Sequence, residues 1–163
     1  MAMLDHAFAV YRGNLAIAQM LVADVTDAQM VQPPLPRMNH AAWILGHLTM
    51  PRLWLKEELQ LAANVPAHWP ELFMPGSTPV ADAAKYPSKA ELLAAPQETH
   101  VLLEAGLRKL PEAVWSQPQE NERLRRLFPL KGDSLRGLIT THESFHIGQL
   151  SAWRRAMGLK PAF

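Results

Sequence analysis

The stretch DSLRGLITTHESFHIGQLSAWRRAM, residues 133–157, sets Leu135, Leu138, Ile139, His142, Phe145, His146, Gln149, Leu150, Trp153 and Met157 at steps of mostly three and four. That spacing lines one face of an α-helix. Asp133 stands where an N-cap belongs, and Gly158 with Pro161 supplies the stop. His142 and His146 both fall on the stripe, separated by about 40° of rotation and about 6 Å of rise, so their imidazoles can reach one point from the same side. A face expected to be hydrocarbon carries two rings able to bind a metal.

Toward the N-terminus the same periodicity predicts three further helices. Leu4, Phe8, Tyr11, Leu15, Ala18, Val22 and Val25 place the first between Leu4 and Val25. Val31-Gln32-Pro33-Pro34-Leu35-Pro36 cannot continue it, because successive prolines lack donors and push their neighbours extended. Asn39 is the expected N-cap of a second helix running to Ala62, with Trp43, Ile44, His47, Leu48 and Leu55 inward and a kink where Pro51 removes the donor for the carbonyl of His47. The breakers Pro66, Pro70, Pro75, Gly76, Pro79 and Pro87 mark residues 64–87 as a long irregular crossover. Ser88 and Glu91 form a capping box for a third helix carrying Leu93, Pro96, His100, Leu103, Leu107 and Leu110, weakened at Pro96. No strand alternation or long repeat competes, and the reading is one all-α domain over residues 1–163, a four-helix bundle.

Composition narrows the chemistry. Hydrophobic residues at 48% and charged residues at 19% permit a real core. A formal charge of +1 supplies no field to hold a polyanion, so nucleic acid is not an expected partner. With no cysteine, disulfides, thiolate metal sites and a cysteine nucleophile are excluded together, and any thiol chemistry must use external sulfur. The start lacks a basic segment before an apolar run, and no stretch approaches the ~18 apolar residues of a bilayer span. The expectation is a mature cytoplasmic protein with no membrane partner.

A single inward histidine is ordinarily a core residue satisfied by a carbonyl. Three on two facing helices are harder to satisfy that way, because each unpartnered ring costs on the order of 1–3 kcal/mol. One divalent ion can take a nitrogen from His47, His142 and His146 together, and three protein ligands leave a position open, as in catalytic zinc sites.

The string Trp43-Ile44-Leu45-Gly46-His47-Leu48, with His142-Glu143-Ser144-Phe145-His146-Ile147-Gly148-Gln149-Leu150 and Arg154-Arg155-Ala156-Met157-Gly158 near the end, resembles the DinB-like (DinB/YfiT) metalloprotein family. The resemblance covers almost the whole chain. It implies an up-down-down-up bundle in which His47, His142 and His146 hold one divalent metal, and it implies a homodimer. Members with assigned activity include S-transferases and an isomerase that use a small bacterial thiol such as mycothiol or bacillithiol. The Pro-rich crossover and Pro96 depart from the pattern and bear on the substrate pocket.

Other residues have two readings each. His100 is a packed core histidine, or a fourth ligand or acid–base group; His40 has a local role at the helix start; His6 and His68 belong to no constellation. Glu143, rotated about 100° from its neighbouring ligand, caps or pairs at the helix flank. Gln149 makes an interhelical hydrogen bond, or bonds a metal-bound water, another residue or a neighbouring backbone. Gly46 and Gly148 stand beside ligands and suit close helix approach. Arg123, Arg125, Arg126, Lys131, Arg154 and Arg155 form a solvated face, or an anion clamp for a carboxylate-bearing thiol. Trp43, Trp54 and Trp153 match core spacing.

The leading functional expectation is a metal-dependent enzyme of thiol S-transferase or hydrolase type, acting on a small molecule, with zinc first and nickel as its rival because imidazole suits both. An organic cofactor is not expected, and no catalytic residue is assigned. The alternatives are a noncatalytic metal-binding or stress-response module acting through association, and a bundle whose histidines merely pack.

Overall fold

The computed structural model describes residues 2–36, 38–62 and 65–163. Met1, Arg37, Ala63 and Asn64, the last of which opens the expected crossover, lie outside them. Among the described residues the protein is all-α, with a lone antiparallel bridge between Pro118 and Leu130 and no strand. No helix among them is long and apolar enough to cross a membrane.

Helix α1 (Ala2–Val22) buries Phe8, Tyr11, Ala18 and Val22 of the expected stripe and half-buries Leu4 and Leu15, with Val25 packed just beyond its end. Thr26 and Gln29 then close a capping box on a short α2 (Asp27–Met30). The expected second helix is divided. Its N-cap is His40, not Asn39: the ring Nδ1 accepts the N–H of Trp43 at 3.1 Å and opens α3 (Ala41–His47). Residues 40–52 are all buried, so this segment has no solvent face.

Pro51 ends α3 instead of bending it. The carbonyl of His47 accepts the N–H of Met50 at 3.0 Å, and Pro51 starts a new short helix α4 (Pro51–Trp54), a position that needs no donor. The helix expected to reach Ala62 therefore stops being helical after Trp54. Within the crossover, α5 (Trp69–Phe73) forms a turn and a half that buries Trp69 and Phe73.

Helix α6 (Lys89–Lys109) begins at the Ser88–Glu91 capping box as expected and continues through Pro96 without a break. The segments α7 (Glu112–Trp115) and α8 (Glu122–Arg125) are short and surface-lying. Asp133 does not cap the last helix. Helix α9 (Lys131–Gly137) starts after Leu130 with no side-chain cap, and Asp133 pairs with Arg136 at 2.7 Å inside its first turn. A π turn (Leu138–His142) joins α9 to α10 (Glu143–Ala156), which stops at Gly158, whose φ of +70° suits glycine.

Helix α1 packs on α10, the π turn and α6, while α3 packs on α5, α6 and α10. Ile44, Leu92, Leu150 and Trp153 fill the core between α3, α6 and α10, and Phe8, Leu103, Leu107 and Ile139 fill it between α1, α6 and the π turn. Each such fully buried large side chain contributes about 1.5–3 kcal/mol relative to exposure.

Candidate metal centre

His47 at the end of α3, His142 at the end of the π turn and His146 in α10 meet, with ligand nitrogens within 4.8 Å of one another. Their ring centroids are 5.2 Å (His47–His142), 4.5 Å (His47–His146) and 4.6 Å (His142–His146) apart. The structure brings together the three residues read from the sequence.

The outer nitrogens of two rings are already engaged. His47 donates its Nδ1 hydrogen to the carbonyl of Phe73 at 2.8 Å, and His146 donates from Nδ1 to Gln149 Oε1 at 2.9 Å. Both acceptors are oxygens without a hydrogen to give, so each ring is held as the tautomer whose Nε2 lone pair is free. His142 has no such partner among the described residues: its Nδ1 is buried and unbonded, and its Nε2 lies 3.2 Å from Nε2 of His47. Two imidazole nitrogens sharing a tetrahedral ion at ~2.0–2.1 Å stand about 3.3 Å apart. The donor set and its spacing fit a divalent cation.

Burial keeps all three rings neutral, the form that binds metal. Burial, with His146 and His47 adding to it, lowers the pKa of His142 to about 3. Burial likewise lowers His146 to about 4, helped by His47 and opposed by the Gln149 bond. His47 is lowered too, by burial against the opposing pull of the Phe73 carbonyl.

The tryptophans were expected in the core, where Trp43 and Trp153 lie buried, and Trp43 and Trp54 also line the centre. Trp43 stacks on His47, with centroids 4.7 Å apart and planes 8° from parallel, and its Nε1 donates to Ser77 at 2.7 Å. Trp54, 37% exposed, turns its edge to both His47 and His142 at 5.6 Å and donates to Met74 Sδ at 3.3 Å. Trp153 lies in the same core cluster as Trp43, its Nε1 donating to the carbonyl of Gln32 at 2.8 Å. The signal for Trp43 and Trp54 was present: they stand four residues before and seven after His47, on its helical face.

Several other expectations change. Phe145, placed on the inward stripe, is 62% exposed and lies edge-on to His146. Glu143, placed at the flank, is 2% exposed and bonds Nε2 of His100 at 2.9 Å. Burial raises the Glu143 pKa, with His100 pulling the other way. Of the expected stripe, Leu135, Ile139, His146, Leu150 and Trp153 are buried, and Glu143, Ile147 and Arg154 widen it on one side while Leu138, Phe145 and Gln149 lie toward its other edge. His100 is the buried core residue expected and lies outside the three-histidine cluster.

Arg154 is not solvated. It is buried and bonds both oxygens of Asp24 at 2.6 and 2.9 Å together with the carbonyls of Leu21 and Lys160. Lys131 pairs with Glu58 at 2.6 Å, so these two cations are committed to structural partners and form no anion clamp. Gly46 does serve close approach, since a Cβ there would collide with the Phe73 ring, whereas Gly148 faces open space.

The family model of the DinB superfamily matches residues 11–150, most of the chain and all three histidines. No curated protein and no solved structure matches the chain.

Proposed function

The chain belongs to the DinB superfamily, a family that is metal-binding in general, and from that premise we propose that it holds one divalent cation through His47, His142 and His146. The observation that carries this reading is the convergence of three neutral imidazoles in which His47 and His146 have Nδ1 hydrogens committed to Phe73 and Gln149. Zinc is the first candidate and nickel the second. In the bundle we propose, α1, α3 with α4, α6, and α9 with α10 are the four members in up-down-down-up order, and the functional unit is a homodimer in the cytoplasm.

A divalent ion in a three-histidine site supplies Lewis acidity, lowering the pKa of a thiol or water in its open position. The chain supplies the rest. Phe73 and Gln149 orient two of the ligands, Trp43 and Trp54 wall the centre with low-dielectric surface, and the absence of cysteine leaves the sulfur of any thiol reaction to a small external molecule. We assign the protein to thiol S-transfer, with hydrolysis of a small molecule as the neighbouring reaction type. A second reading has support in the burial of His47 and His146, at 3% and 7% exposed: a metal so enclosed can brace the fold without catalysis, in a stress-response or binding module.

One series of assays separates these readings. Protein purified without an affinity tag, analysed for metal and then supplied with a panel of low-molecular-weight thiols and an electrophilic acceptor, is expected to contain one ion per chain and to consume thiol. Metal present with every thiol and every generic ester inert favours the brace. Absence of metal, with no effect of chelator on the melting temperature, overturns both.

A further inference from the structure

Glu143 follows His142 directly and occupies the stripe that Leu135, Ile139, Ile147 and Leu150 otherwise fill with hydrocarbon. Its carboxylate reaches across to α6, where His100 Nε2 donates to Oε1 at 2.9 Å. His100 in turn lies flat on Tyr11 of α1, with centroids 3.4 Å apart and planes 9° from parallel. Glu143 Oε2 and His100 Nδ1 are both buried with no partner among the described residues.

A buried pair with half its hydrogen bonds unmade is a poor way to stabilise a core. Replacing such pairs with packed hydrocarbon is often neutral or favourable, whereas removing one partner alone strands the other. Stability therefore does not account for the pair, and its place in the chain does. It fastens the first residue after the π turn to two other helices, and the last residue of that turn is a metal ligand. Relaxation of the turn to ordinary α-helical bonding would rotate one side of the helix against the other by about 100° per residue gained, which Glu143 cannot follow while bonded to His100.

We propose that His100 and Glu143 are positioning residues that hold the Leu138–His142 π turn in register and thereby aim the His142 imidazole at the metal centre, an inference that rests on the three-histidine reading above. The test compares the wild type, the double variant His100→Leu/Glu143→Leu and the single variant Glu143→Gln. Each metal-free protein is melted and then titrated with Co(II), followed by its visible absorption.

The double variant is expected to melt at or above the wild-type temperature yet bind Co(II) 10–100-fold more weakly, the usual scale for loss of a residue that orients a ligand. Glu143→Gln keeps an oxygen that accepts from His100 and is expected within about threefold of the wild type, because the orienting bond survives. Wild-type affinity in the double variant overturns the proposal, as does a loss of affinity that merely tracks a loss of melting temperature. A wild type that takes up no Co(II) sinks the three-histidine reading instead. The pair is then judged by backbone amide exchange over residues 139–143 of the metal-free protein: faster exchange in the double variant sustains its role, and unchanged exchange ends it.

Discussion

Gly46 has no side chain, and the Phe73 ring occupies the space a Cβ would need. That contact brings α5 close enough for the Phe73 carbonyl to take the Nδ1 hydrogen of His47, so the ligand is oriented by a backbone group 26 residues away. Gln149 does the same for His146 from one turn along α10. Gln149→Ala is expected to weaken metal binding about tenfold while leaving the fold intact, measured by competition with a chromogenic chelator; unchanged affinity would show that the Nδ1 bond does not orient the ring. The ligands were legible because His142 and His146 share a helical face and His47 sits on another apolar stripe. Gln149 was expected to bond across helices, or to a metal-bound water, another residue or a neighbouring backbone, and its bond runs within α10 to His146. The Phe73 carbonyl was not legible, because every residue offers one and nothing in the side chain marks it.

Among the elements, the reciprocal capping box was read correctly, whereas the single-residue caps at Asn39 and Asp133 and the helix breaks were not. The Ser88–Glu91 box starts α6 where expected, since its two reciprocal bonds need only neighbouring residues. Ser88→Ala is expected to lower stability by about 1 kcal/mol in urea denaturation and leave metal affinity unchanged; a fall in affinity would mean that α6 transmits more than packing. Pro51 was expected to kink a helix and instead divides it, because the turn carbonyl found another donor in Met50. The π turn had no periodic signature. Thr140 Oγ1 donates to the Arg136 carbonyl at 2.8 Å and competes there with the backbone N–H, a local cause that hydrophobic spacing does not reveal.

Taken as a whole, the molecule buries rings that water would protonate. His142 is held near pKa 3, and His40 and His146 near 4, each mainly by burial, against about 6.5 in the unfolded chain. Between roughly pH 6.5 and 4 the unfolded state therefore binds more protons than the folded one, and stability falls as pH falls, by about 1.4 kcal/mol per pH unit for each such histidine. The contribution is complete above pH 6.5 and lost by about pH 4 for His40 and His146 and by about pH 3 for His142. Urea midpoints of the metal-free protein across this window are expected to drop steeply, and a flat profile would mean that the rings are hydrated. The four-helix reading survives at this scale as an all-α fold, because amphipathic stripes specify which faces are buried, whereas loop paths and helix breaks decide how the segments are joined. Most direct of all is anomalous diffraction at a metal absorption edge from crystals of the untagged protein. One peak per chain, within about 2.0–2.2 Å of a nitrogen from each of His47, His142 and His146, is the expected result; ordered imidazoles with no peak between them, or a peak bound elsewhere, would contradict the metal centre.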